Sequence, residues 1–241
     1  MKPSVLYVSI IGTPDKHDPA LFAACTDTGD DYIWLRNRYA EWGVLDHIDL
    51  SVVYICAGET MPEPEGIDAV IVGGSAHSVN ENQPWQRDVM DWLERWRATG
   101  KPVLGICGGH QMMCVLGGVD VAPRAAGPMY ASGPVDITTA GQAHPLFEGF
   151  EAAPWFHSGN YDHAIAVPAG ATVLATTPDS PVMAVDHGGN WLSVQFHPEG
   201  SHDAFACIWA ATKPENMKNY IPLPDAPRVL VNFLRLNELI N

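Results

Sequence analysis

The sequence predicts an α/β protein with a mostly parallel central sheet flanked by helices and a smaller antiparallel β portion. Three observations predict it. In the first half, short apolar runs alternate with segments of helical spacing, which is the pattern of strand–helix–strand units. Two of those runs, residues 69–72 and 103–106, are continuously apolar and run straight into Gly73 and Cys107-Gly108, as strands buried on both faces do. In the second half the runs shorten, and residues 182–186 and 191–195 flank Gly188-Gly189-Asn190, which reads as a hairpin.

Taken in order, residues 5–10 form the first expected strand, and residues 12–30 a long loop rich in Gly, Asp, Thr and Pro. A helix is expected over 32–42, where Ile33, Leu35, Tyr39 and Trp42 recur at helical spacing ahead of Gly43. Strands follow at 50–56 and 69–72. Residues 84–99 read as a helix, with Pro84 in its first turn and Gly100 as its stop. The strand at 103–106 is followed by a helix over 111–116 that ends at Gly117-Gly118. Beyond it, β-like runs lie at 134–138, 172–176, 182–186 and 191–195, and helices at 201–211 and 227–239. Pro214, Pro222 and Pro224 mark residues 212–226 as an inserted loop. No internal repeat or interdomain linker is evident, so one domain over residues 1–241 is expected.

Composition narrows the functions. Hydrophobic residues make up 46% of the 241 residues and charged residues 17%, enough for a packed core. The net charge of −15 repels phosphate backbones and anionic lipid, so neither nucleic acid nor membrane is an expected partner. The apolar start is too short for a secretory leader, and no run approaches the ~20 residues that span a bilayer. Cys25, Cys56, Cys107, Cys114 and Cys207 are odd in number and irregularly spaced, which predicts free thiols and a cytoplasmic location. There is no CxxC or HExxH pattern, so no metal is expected.

Two segments carry chemistry. Gly105-Ile106-Cys107-Gly108-Gly109 has the form of a nucleophile elbow, in which a strand enters a helix through a tight turn that lifts the nucleophile clear of the sheet. Amides at the helix N-terminus favour a thiolate and can hold a developing oxyanion. No Gly-Lys-Ser/Thr or GxGxxG pattern follows, which argues against a phosphate loop. A thiol nucleophile needs a base, and the base an orienter. In Gln195-Phe196-His197-Pro198-Glu199, the histidine and carboxylate lie two apart and so project to one side of an extended segment. Taken alone, the first segment also fits a buried core cysteine, and the second a turn histidine.

With Val72-Gly73-Gly74-Ser75 ahead of them, and extended to His110-Gln111, these segments resemble in order the class I (triad) glutamine amidotransferase family. That family includes the glutaminase parts of GMP synthase, anthranilate synthase and carbamoyl phosphate synthetase, and free-standing γ-glutamyl peptide hydrolases. The likeness covers roughly residues 4–200 and implies a flavodoxin-like fold. It implies Cys107 as nucleophile, His197 as base and acid, Glu199 as orienter, Gly74 and Gly108 as oxyanion-hole amides, and no cofactor. Gln111 would hold the glutamyl portion of the substrate, with Gly73 and Ser75 beside it. The segment 155–162 is similar to the family's histidine-bearing stretch bordering that pocket, but His157-Ser158 inverts the usual Ser-His order.

Two further departures stand out. Gly108 replaces a bulky residue and leaves room beside the thiol, and residues 12–30 and 203–225 are longer than a glutaminase needs. The expected substrate is a small γ-glutamyl amide. Trp34, Trp42, Trp85, Trp155, Trp191 and Trp209 supply aromatic material for an amine pocket. The alternatives are a glutaminase subunit passing ammonia to a separate synthetase, and a catalytically silent binding or regulatory module on the same fold.

Overall fold

The alternation read from the first half is present in the computed structural model, which describes residues 1–22, 25 and 28–241. Strands β1 (Ser4–Ser9), β2 (Asp49–Tyr54), β3 (Ala69–Val72) and β4 (Val103–Ile106) alternate with helices α1 (Asp31–Glu41), α2 (Pro84–Arg97) and α3 (Gly108–Leu116). There follow β5 (Val121–Pro123), β6 (Met129–Pro134), β7 (Asp136–Ile137), the short helix α4 (Thr139–Gln142), β8 (Trp155–Asn160) and β9 (Asp162–Ala164). The chain continues with β10 (Thr172–Thr177), β11 (Ser180–Asp186), β12 (Trp191–Val194), α5 (His202–Thr212) and α6 (Arg228–Leu236). Among the described residues no helix is long and apolar enough to cross a membrane.

The main sheet has the order β2-β1-β3-β4-β12-β11-β10-β7. Pairing is parallel from β2 through β12 and antiparallel beyond it. The alternation within β1 shows why the sheet is covered on both faces. Val5 and Tyr7 pack with Leu35 and Tyr39 of α1 and with Phe233 of α6, while Leu6 and Val8 pack with Trp92 and Trp96 of α2 and with Met113 of α3. Local chemistry sets the helix starts. The Asp30 carboxylate accepts from Tyr32 N, Pro84 opens α2, and Ser201 Oγ accepts from Ala204 N at the head of α5.

Some expected bounds move. Helix α3 starts at Gly108 rather than residue 111, because the elbow itself is its first turn. The expected run 134–138 divides between the end of β6 and β7. Within the expected loops 12–30 and 212–226, Pro19–Phe22 and Pro214–Asn219 form 3-10 turns. Residues 23, 24, 26 and 27 of the first loop lie outside the described residues.

The expectation of free thiols does not hold for one pair. Cys25 and Cys207 form a disulfide across a sequence separation of 182 residues, leaving Cys56, Cys107 and Cys114 free. Linear spacing cannot reveal such a pair, because only the fold seats the segment ahead of α1 against α5. Closing so long a loop stabilises by up to about 5 kcal/mol on the chain-entropy model. Reduction, or Cys25→Ser, should therefore lower Tm by roughly 5–15 °C for a chain of this size. Scanning calorimetry with and without reductant checks this, and coincident melts would show that the bridge adds nothing.

Candidate active site

Sheet order and register bring the two chemical segments together. β4 and β12 are parallel neighbours with Ile106 opposite Val194, so Cys107 and Gln195 leave the sheet side by side at its C-terminal edge. The main chain locks this contact, since Cys107 N donates to Val194 O at 2.8 Å. β3 pairs with the other side of β4, with Val72 opposite Gly105, and delivers Gly73-Gly74-Ser75 to the same edge. Ligand sites of open α/β sheets lie beyond these carboxyl ends.

The turn at Cys107 is strained. Its φ of 48° and ψ of −96° place a non-glycine residue in positive-φ space. The glycines around it permit close approach, for a Cβ on Gly109 would stand 2.5 Å from Val72 O. The room expected beside Gly108 is already filled, because a Cβ there would meet both Ser75 N and Ser75 Cβ at 2.8 Å. Gly109 N donates to Gly73 O, which ties the turn after β3 to the first turn of α3 beside Cys107.

The second segment is anchored from its far face. Phe196 stacks on Phe156 at 3.9 Å between centroids, and His197 N donates to His157 O at 2.8 Å. The expected extended segment is instead bent on either side of the bridge at His197, and the bends still set Gln195 against Cys107 and Glu199 against the His197 ring. His197 Nδ1 lies 2.7 Å from Glu199 Oε1, which fixes the ring and leaves Nε2 for the thiol, and the ring is hydrogen-bonded to Cys107. Burial opposes a charged ring, but Glu199 and Cys107 outweigh it and hold the His197 pKa well above the usual histidine value. An imidazolium beside a sulfur nucleophile is the arrangement for proton delivery to a leaving amine.

A cavity of about 550 Å³ opens on this group. It is lined by Gln111, Asn160, Tyr161 and Asp162, with Gln111 Nε2 donating to Asp162 O at 2.9 Å. Its wall also includes Phe205, Ile208 and Trp209 of α5, and Phe22 and His17 of the first long loop. Phe205 stands edge-on to His197 at 5.2 Å and stacks on Tyr220 at 4.9 Å.

Of the residues singled out from sequence, Cys107, His197, Glu199, Gly74, Ser75 and Gln111 all line this cavity. Gly73 stands behind its wall, packed on the pair Tyr7–Asp31, where Tyr7 Oη donates to Asp31 Oδ2 at 2.8 Å. His157 and Ser158 are also set back. His157 Nδ1 bonds Ser132 Oγ at 2.9 Å, and Ser158 O accepts from Tyr220 Oη at 2.7 Å. Burial, with His197 nearby, holds the His157 pKa down at about 3, so its ring is neutral. Among the six tryptophans expected as amine-pocket material, Trp34 and Trp209 line the cavity, Trp191 is core, and Trp155 faces solvent. Sequence reasoning passed over Gln195, although its place two before His197 and four before Glu199 was the signal for a third group on that face.

An α/β sheet with a cysteine elbow at its carboxyl edge and a histidine–carboxylate pair beside it is the architecture of cysteine-nucleophile enzymes. The model of "Glutamine amidotransferase class-I" matches residues 34–208, and the chain belongs to that family. A GMP synthase [glutamine-hydrolyzing] from Aeropyrum pernix is 30% identical over 215 residues, 89% of this chain and 38% of the relative. A gamma-glutamyl-L-1-hydroxyisopropylamide hydrolase from a Pseudomonas species is 30% identical over 154 residues, 59% of this chain and 50% of the relative. The chain thus spans half or less of the length of these two relatives. A crystal structure of a glutamine amidotransferase from Thermotoga maritima superposes with a TM-score of 0.72 at 19% identity, covering 99% of this chain and 96% of that one, a likeness of fold.

Proposed function

We propose that the chain is a stand-alone hydrolase of γ-glutamyl amides whose amine is larger than ammonia, and that residues 1–241 act as one domain. The observation that carries this is the cavity that opens on Cys107 and His197 and is walled in part by α5. Glutamine releases only ammonia, whereas the space beside Phe205, Ile208 and Trp209 suits an apolar amine body. Both long segments flagged in the sequence contribute to that wall. The similarity to a γ-glutamyl amide hydrolase points the same way.

In this reading the Cys107 thiolate attacks the γ-carbonyl carbon. The oxyanion is held by the amides of Gly74 and Gly108, and Gln111 steadies the glutamyl portion. Protonated His197, oriented by Glu199, gives its proton to the leaving amine as the C–N bond breaks. The γ-glutamyl thioester is then hydrolysed by water that His197 deprotonates, releasing glutamate and restoring the thiol pair. No step calls on a metal or organic cofactor.

A second reading, a glutaminase subunit supplying a separate synthetase, is favoured by one comparison. The glutamine-hydrolyzing GMP synthase subunit of Sulfurisphaera tokodaii is 28% identical over 159 residues, and the match spans 81% of that protein. A panel of glutamine and γ-glutamyl amines separates the readings, with glutamate release measured for the purified chain alone. A branched or aromatic γ-glutamyl amide should exceed glutamine in kcat/KM by roughly 10–200-fold, the gain from burying extra apolar surface. Silence on the whole panel, relieved by adding a synthetase, would overturn the hydrolase reading.

A further inference from the structure

We propose that Gln195 is a catalytic residue of this site, its side-chain amide donating to the Cys107 thiolate as a second partner beside His197. Gln195 is fully buried immediately after β12, and its main-chain N–H donates to Met183 O at 2.8 Å, so the residue has no freedom to leave. Its Nε2 lies 3.4 Å from Cys107 Sγ, within the range of a hydrogen bond to sulfur. Its Oε1 accepts from Gln111 Nε2 at 3.1 Å.

The orientation of both amides follows from the chain of contacts. Gln111 donates to the main-chain carbonyl of Asp162 at 2.9 Å, so that terminal atom must be the NH₂. The Gln195 atom facing it must then be the oxygen, and the one facing sulfur the NH₂. A relay runs from the carbonyl of Asp162 through Gln111 and Gln195 to the nucleophile. Two of its members, Asp162 and Gln111, line the cavity.

An amide N–H stabilises a sulfur anion far more than a neutral thiol. Cys107 is 4% exposed, so little water competes for the sulfur. The anion appears twice in the cycle. It is the attacking group when the thioester forms. It is again the leaving group when water has added to the thioester carbonyl, the C–S bond breaks and the electron pair returns to sulfur. The proton from water resides on His197 at that point, and the Gln195 amide regains its acceptor. Lowering the energy of an attacking thiolate also lowers its nucleophilicity, so the larger benefit falls on the second step.

This inference rests on Cys107 being the nucleophile, and the test separates the two. Iodoacetamide alkylation of Cys107 is followed by mass spectrometry as a function of pH in the wild type, in Gln195→Met, which keeps shape without a donor, and in Gln195→Glu. The rate profile should move to higher pH by about one unit in Gln195→Met and further in Gln195→Glu. With glutamine or a γ-glutamyl amide, Gln195→Met should accumulate an enzyme species heavier by one γ-glutamyl group, because deacylation is slowed more than acylation. Should Gln195→Met fail to fold by circular dichroism, Gln111→Leu releases the far end of the relay and should shift the profile the same way by a smaller amount. A profile that coincides with the wild type in the folded variants overturns the proposal. Absence of Cys107 labelling in the wild type overturns the nucleophile assignment itself.

Discussion

Replacing Cys107 with alanine or serine should remove turnover on every γ-glutamyl substrate, by a factor on the order of 10⁴ or more, the scale seen when a nucleophile is deleted from a triad. Glutamate release at high enzyme concentration measures the residual rate, and near-normal turnover in Cys107→Ala would end the mechanism proposed above. His197→Ala should cost nearly as much, since the two act as a unit. Glu199→Gln should cost less, because a glutamine keeps an acceptor for His197 Nδ1–H while losing the charge that favours the imidazolium. The other thiols provide the control. Burial pushes both Cys56 and Cys114 up to about 12, which keeps them protonated at neutral pH, and Cys25 and Cys207 are joined. Cys56→Ala and Cys114→Ala should therefore leave the chemistry in place, and a glutamine-shaped chloroketone should label Cys107 alone.

Gly74→Ala and Gly108→Ala should each lower kcat by about 10²–10³, the loss expected when an oxyanion donor is displaced. The two glycines sit where a methyl group has no place. A Cβ on Gly74 would stand 2.8 Å from His197 Cε1 and 3.7 Å from Cys107 Cβ. The ring cannot yield easily, because Glu199 holds it on one side and Phe205 on another. A Cβ on Gly108 would instead push on Ser75 N at 2.8 Å and move the Gly74 amide indirectly. Both changes should spare thermal stability relative to their effect on rate, and KM should move less than kcat. Rapid kinetics beside a thermal melt checks this. Wild-type kcat in both variants would show that neither amide is placed for the oxyanion.

Much of this site is legible in the sequence because its parts are local. The elbow needs a buried strand, a cysteine and close glycines within a few residues, and the histidine and carboxylate stand only two residues apart in the chain. Those requirements leave marks such as Gly105-Ile106-Cys107-Gly108-Gly109 that can be read without a fold. The small β5–β9 and β6–β8 sheets left no such mark. β6 and β8 are glycine-bearing strands that pair across twenty intervening residues, and neither alternates strongly enough to declare itself. The amide of Gln195 lay in plain sight within a motif, but its partner at Cys107 is 88 residues away.

By itself, the sequence determined the alternation of strands and helices in the first half, the order of its helices and the elbow at Cys107. These follow from hydrophobic period, helix caps and glycine placement, which are properties of neighbouring residues. Tertiary structure alone decided that β12 inserts beside β4 and so brings His197 to Cys107, and that Gln195 points at the site while His157 and Ser158 are set behind it. It also decided that Cys25 reaches Cys207 and that α5 and the first long loop meet as one aromatic wall. Each of those depends on which segments a strand order of β2-β1-β3-β4-β12 makes adjacent, and adjacency between distant segments is fixed by packing the whole core rather than by any local pattern.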